Sequence, residues 1–301
     1  MSIIRASLLL GVLCAPALPS QAPPLERFTV TVDGHPLALW ARRAAQPKGV
    51  ILLLHGRTWS ARPDFDLQVP GESRSVLAAL AARGYAAYAL DARGYGATPR
   101  DRTGWLTPQR AADDVAAVLA WIAASQPAAG RPVLLGWSYG SMVAQLVAQA
   151  HPDAISALIL YGYPFDPAEH IAPQSDPPRP ARERTTVADA RSDFVSPGVT
   201  SARMVSAYVT AALGSDSVRT DWRALEQWNR LNPERVRVPT LVLQGERDPL
   251  PRAALQRLFT RLGTPDKQRV TLMGGDHAAL LEDTKPSFIE AVVGFIGKRP
   301  R

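Results

Sequence analysis

Ser138 lies between two glycines in Gly136-Trp137-Ser138-Tyr139-Gly140, His277 closes the turn Gly274-Gly275-Asp276-His277, and Asp248 sits in Gly245-Glu246-Arg247-Asp248-Pro249. A serine hydroxyl is a weak nucleophile near neutral pH unless a base takes its proton and a third group orients that base. Residues of these three types, in the chain order serine, acid, histidine, could together carry acyl transfer. Four other histidines are available. His35 falls in a hairpin turn, His151 precedes Pro152 at a helix end, His170 lies in a proline-rich stretch, and His55 follows an apolar run, where it shapes the Gly56 loop. The acid has competitors: Glu246 shares the loop of Asp248, and Asp166 also lies between serine and histidine, whereas Asp91 precedes both.

These residues need elements to bring them together. Pro132-Val133-Leu134-Leu135 is an apolar run typical of a strand buried on both faces, and the run after Gly140 reads as a helix, so Ser138 occupies a strand-to-helix turn. Glycines flanking the serine leave room for a sharp reversal. His277 and Asp248 each follow a predicted strand, over 269–273 and 240–244, which places all three at one sheet edge. Upstream, residues 27–32 and 37–40 alternate around Asp33-Gly34 as a hairpin, and 49–54 is again continuously apolar. Helices are predicted over 73–82, 107–124 with Thr107 as N-cap and Pro108 in the first turn, 253–262 and 287–296; strands over 85–90 and 155–161 complete the alternation. Strands alternating with helices specify an α/β fold with a mostly parallel, doubly wound sheet.

The rhythm stops over 163–236. Pro164, Pro167, Pro173, Pro177, Pro178 and Pro180 make the first part irregular; helical patterning returns over 202–213 and 221–231, with Trp222, Leu225 and Trp228 at spacing three. This reads as an inserted helical cap between two parts of one core, 23–162 and 237–301, with Trp59, Trp222 and Trp228 as the expected apolar contacts to a substrate. Residues 1–22 read as an export signal: Arg5, the apolar run 6–13 and Ala15-Pro16-Ala17 form its charged, apolar and cleavage regions. The apolar run is short for a membrane span, which needs about 20 residues. A mature, periplasmic or secreted chain beginning near Leu18 would lack Cys14, the only cysteine. Thiol chemistry and disulfides would then be excluded.

The chain has 34 Lys and Arg against 27 Asp and Glu, a net charge of +7, yet only four of the basic residues are Lys and no basic block appears. A solvated basic surface follows, not a nucleic-acid partner. No His-Glu-X-X-His or Gly-Lys-Ser motif is present, so no metal and no cofactor is expected.

His55-Gly56, Asp91-Ala92-Arg93-Gly94-Tyr95-Gly96, Gly136-Trp137-Ser138-Tyr139-Gly140, Gly245-Glu246-Arg247-Asp248 and Gly275-Asp276-His277 resemble the α/β-hydrolase superfamily across nearly all of 28–296. The capped arrangement is similar to its lysophospholipase-like and small-ester hydrolase branches. The resemblance implies that Ser138 attacks an acyl carbon, His277 moves the proton, Asp248 fixes the imidazole, and the backbone amides of Arg57 and Tyr139 hold the oxyanion. The chain differs from monoglyceride-lipase-like members in carrying Arg57-Thr58-Trp59 after His55-Gly56 and Ser141 after the elbow. A serine at the nucleophile position sets it apart from relatives that use a carboxylate there. The implied activity is hydrolysis of carboxylic esters with an apolar part; thioesterase, amidase and peptidase activity, or a non-catalytic binding role, remain open alternatives. Arg57 has two roles open to it: an ion pair with Asp64 or Asp66 that pins its loop, or a forked contact to an acidic group on the substrate.

Overall fold

The computed structural model describes residues 22–298 apart from 174 and 176, so the export-signal reading and Cys14 lie outside the described residues. In chain order the strands are β1 (Glu26–Val32), β2 (His35–Arg43), β3 (Val50–Leu54), β4 (Ala86–Leu90), β5 (Trp105–Leu106), β6 (Val133–Trp137), β7 (Ala157–Tyr161), β8 (Asp221–Trp222), β9 (Thr240–Gly245) and β10 (Lys267–Leu272). Eight form one sheet in the order β1-β2-β4-β3-β6-β7-β9-β10. β2 runs antiparallel to both β1 and β4, and every other pair is parallel. Because β3 has β4 on one side and β6 on the other, strand order reverses there. In such sheets the crevice at the carboxyl ends of the strands is where ligands bind.

All residues of β3, β4, β6, β7 and β9 are buried. That is why these segments read as continuous apolar runs and not as alternations. Leu52 and Leu54 face one core, shared with α3 (Pro108–Ser125), α4 (Tyr139–Ala150) and α7 (Arg252–Arg261); Ile51 and Leu53 face the other, shared with α1 (Ala61–Phe65), α2 (Val76–Ala82) and α8 (Lys285–Ile296). Thr107 caps α3 through its side chain, which accepts from the Arg110 amide, and Pro108 occupies the first turn as expected.

The segment between β7 and β9 carries α5 (Val187–Arg191) and α6 (Ala202–Ser215). The helix expected over 221–231 is not formed. Asp221 and Trp222 instead pair with Trp105 and Leu106 as β8 on β5, Ala224 turns to φ +54°, and a 3-10 helix follows over Leu225–Arg230. A three-residue apolar spacing fits the 3-10 period as well as an α-helical face, and strand pairing at Trp222 decides between them. Likewise, the stretch after Gly56 read only as a loop contains the one-turn helix α1, on which Asp64 is fully buried.

Candidate active site

Ser138 follows β6 with φ 53° and ψ −123°, a conformation that L residues rarely adopt. Its backbone is held on both sides. The Ser138 amide donates to Tyr161 O at 2.9 Å, and its carbonyl accepts from the Ser141 amide at 2.9 Å and from Ser141 Oγ at 2.5 Å. The Ser141 side chain thus contributes a hydrogen bond that glycine would not. The flanking glycines are required by close approach: a Cβ on Gly136 would lie 2.2 Å from Gly140 O, and one on Gly140 would lie 2.4 Å from Leu54 O.

His277 stands after β10, where Nδ1 lies 3.1 Å from Asp248 Oδ2. Asp248, at the end of β9, is 7% exposed. Its other oxygen accepts from the Leu250 amide. The competitors are engaged elsewhere: Asp166 makes a forked pair with Arg257, and Glu246 accepts from the Gly274 amide at 2.8 Å. The histidine backbone is anchored by Trp137 Nε1, which donates to His277 O at 2.9 Å, and by the neighbouring Asp276 carboxylate, which accepts from the Ser196 and Ala278 amides. Gly162 (φ +56°) leaves space for the ring, since a Cβ there would approach His277 Cε1 to 2.9 Å. Burial works against the imidazolium, yet the Asp248 hydrogen bond and charge, with Asp193 and Asp276 nearby, outweigh it and raise the His277 pKa.

The Gly56–Arg57 stretch faces the serine: a Cβ on Gly56 would sit 3.6 Å from Ser138 Cβ. Among the described residues the Arg57 amide donates to no protein group, and the Tyr139 amide opens α4, where no intrahelical acceptor exists. His55 Nδ1 donates to Gly56 O at 2.8 Å while its Nε2 accepts from the Ala92 amide at 3.2 Å, which fixes a neutral tautomer. Burial lowers its pKa to about 4. His55 therefore orients the peptide plane carrying the Arg57 N–H and is not the base. Amides without a partner within the protein beside a serine can hold an oxyanion.

The aromatic contacts differ from expectation. Trp59 and Trp228 are 2% and 1% exposed and belong to the two cores, so they pack and present no face to a ligand; Trp59 meets Tyr208 edge-on. Trp222 is half-buried, lies edge-on to Tyr139, and borders a cavity of about 260 Å³ with Arg57, Thr58, Trp105 and Leu225. Arg57 pairs with neither expected acid. Asp66 is taken by Arg42 at 2.7 and 3.0 Å, Asp64 by Tyr208 Oη at 3.0 Å, and the Arg57 guanidinium lies over the Tyr139 ring, 5.2 Å from its centroid.

Tyr208 and Asp193, which sequence reasoning passed over, form a further cluster with Asp64. The Tyr208 hydroxyl is 3.0 Å from Asp64 Oδ1 and 3.0 Å from Asp193 Oδ2. One phenol has one proton, so one of the two carboxyls must be protonated and donate to the phenol oxygen. Burial pushes Asp193 up to about 6 and Asp64 well above the carboxylate range. No sequence signal marks the cluster, because its members are far apart in the chain. Among the described residues no group of His, Cys, Asp and Glu could hold a metal ion.

The profile of a family described as serine aminopeptidase, S33, matches residues 45–284. Among solved structures, the chain is similar to a thioesterase domain from the curacin biosynthetic pathway (21% identity, 88% of this chain and 99% of that one, TM-score 0.60). It is also similar to a serine hydrolase involved in carbazole degradation (18%, 92% and 100%, 0.64) and to an epoxide hydrolase from Vigna radiata (18%, 91% and 98%, 0.63). No curated protein matches the chain. At these identities the structural likeness establishes the α/β-hydrolase fold, on which many chemistries occur.

Proposed function

Because the chain belongs to the serine aminopeptidase S33 family of α/β-hydrolases, we propose that it is a serine hydrolase cleaving carboxylic esters with an apolar part through an acyl-enzyme. The observation that carries this reading is the 3.1 Å contact of Asp248 with His277, made at the same sheet edge as a serine held at φ 53°. Ser138 attacks the acyl carbon and His277 takes its proton, then delivers it to the leaving group. Asp248 keeps the proton on Nδ1 so that Nε2 serves as base, and the Arg57 and Tyr139 amides meet the developing negative charge. Water then repeats the sequence on the acyl-enzyme. The segment between β7 and β9 acts as the cap, with Trp222 half-buried beside Tyr139.

Stoichiometric labelling of Ser138 by a fluorophosphonate, with turnover on p-nitrophenyl esters of graded chain length, tests the reading. Matched thioesters and aminoacyl amides separate esterase from thioesterase and from the aminopeptidase activity in the family's description. Faster turnover of the amides would replace the ester reading, and absence of labelling would remove the serine mechanism.

The pH dependence is set by His277. Only the neutral imidazole is a base, so kcat/KM is expected to rise with pH along a limb whose midpoint lies above 6.5, the ordinary histidine value, since the surrounding carboxylates raise it. Asp248→Asn removes the strongest raising contact and should move that midpoint down. A midpoint that stays in place in this variant assigns the limb to another group.

A further inference from the structure

The Tyr95 hydroxyl donates to the carbonyl of Arg57 and accepts from Trp222 Nε1 at 2.8 Å. The direction is forced: an indole N–H can only donate and a carbonyl can only accept, so the single phenol proton points to Arg57. Tyr95 is 1% exposed, so both bonds are made out of water. Its ring also lies against His55, with centroids 4.4 Å apart. His55 holds the carbonyl before the Arg57 amide, and Tyr95 holds the carbonyl after it. His55 fixes the peptide plane that carries the amide proposed to meet the oxyanion, and Tyr95 the plane that follows it.

The far end of the Tyr95 contact belongs to the segment between β7 and β9. Trp222 lies on β8, and Thr220, just before that strand, donates its hydroxyl to Gly94 O at 2.8 Å, tying its start to the Tyr95 turn. On the other side of the loop the Gly56 amide faces Asp64 Oδ2 at 3.4 Å, and Asp64 is held by Tyr208 of α6. The oxyanion loop is thus gripped by two aromatic residues of the insertion, one through Tyr95 and one through Asp64.

We infer that Tyr95 is a positioning residue for the oxyanion hole and that Trp222 couples it to the insertion, so that the insertion sets the catalytic geometry and does not merely cover the substrate. This rests on the serine-hydrolase reading above. An error of a few tenths of an ångström in the Arg57 amide weakens the transition state while leaving ground-state binding alone. Tyr95→Phe keeps the ring and loses both bonds; Trp222→Phe keeps an aromatic surface and loses the indole donor.

The test measures four quantities on wild type and both variants: kcat/KM for the best p-nitrophenyl ester, the rate of fluorophosphonate labelling, the Ki of the matching ether, and chain-length preference. The ether has no carbonyl to polarise. Both variants should lose roughly tenfold or more in kcat/KM and labelling rate, with Ki and chain-length preference unchanged. Folding is checked by circular dichroism; if Tyr95→Phe does not fold, Trp222→Phe, which leaves Tyr95 in place, carries the test. Unchanged labelling in a folded variant overturns the inference, as does a Trp222→Phe enzyme whose only change is chain-length preference, because Trp222 would then be a substrate contact alone. Wild type that resists labelling overturns the serine-hydrolase reading itself, a result visible before any variant is made.

Discussion

Ser138→Ala, His277→Ala and Asp248→Asn should each lower kcat by roughly 10³-fold or more while leaving the fold intact. The three act as one unit, so the double variant Ser138→Ala/His277→Ala should lose little more than either single one. Asp166→Asn provides the control. Its carboxylate is bound to Arg257 at the surface, so its loss should leave turnover near wild type. The measurement is steady-state hydrolysis of a p-nitrophenyl ester by variants with unchanged thermal unfolding. Full activity in folded Ser138→Ala would end the mechanism, and an active Asp248→Asn beside an inactive Asp166→Asn would reassign the acid.

Gly136→Ala should be among the most damaging single-carbon changes in the described residues. The added methyl would sit 2.2 Å from Gly140 O and 2.5 Å from Ser141 Cα, both backbone atoms of α4. Either the helix moves away from β6 or the strand leaves the sheet, and both disturb Ser138. Overpacking of this kind costs about 3 kcal/mol or more when backbone must yield, which for a chain of this size lowers Tm by several degrees, on the order of 5–10 °C. Gly294→Ala is the matched comparison. It lies in α8 with nothing within 4 Å of the new carbon, so the better helix former should leave Tm unchanged or raise it slightly. Equal melting of the two variants would show that the close approach at Gly136 is relieved at little cost.

Much of this architecture is legible in the chain because local chemistry and tertiary role coincide. Buried parallel strands must be apolar on both faces, and 50–54, 133–137 and 241–243 are. Thr107 and Pro108 announce the start of α3, and Gly136 and Gly140 mark an approach too close for any side chain. Asp248, Glu246 and Asp166 could not be separated by chain order; their partners separate them, and partners are set by packing. The tryptophans show the opposite limit. Trp59, Trp222 and Trp228 look alike in sequence, yet two fill the cores and only Trp222 borders the cavity. Arg57 repeats the lesson, since the acids near it in sequence are claimed by Arg42 and Tyr208 from elsewhere in the chain.

The position of the insertion also orders events during synthesis. Ser138 is made before it, Asp248 and His277 after it; β9 joins the sheet at the free edge of β7 and β10 then joins at β9. A nascent chain that has completed β7 already presents Ser138, yet it lacks Asp248 and His277, the acid and base of the proposed mechanism. On that mechanism any fragment ending before residue 277 should be inert however well its first strands have folded. The unpaired edge of β7 stays open until the roughly eighty residues of the insertion have been added, a period in which an apolar strand edge is exposed to pairing with other chains. Reactivity and safe burial of that edge arrive together, with the last two strands.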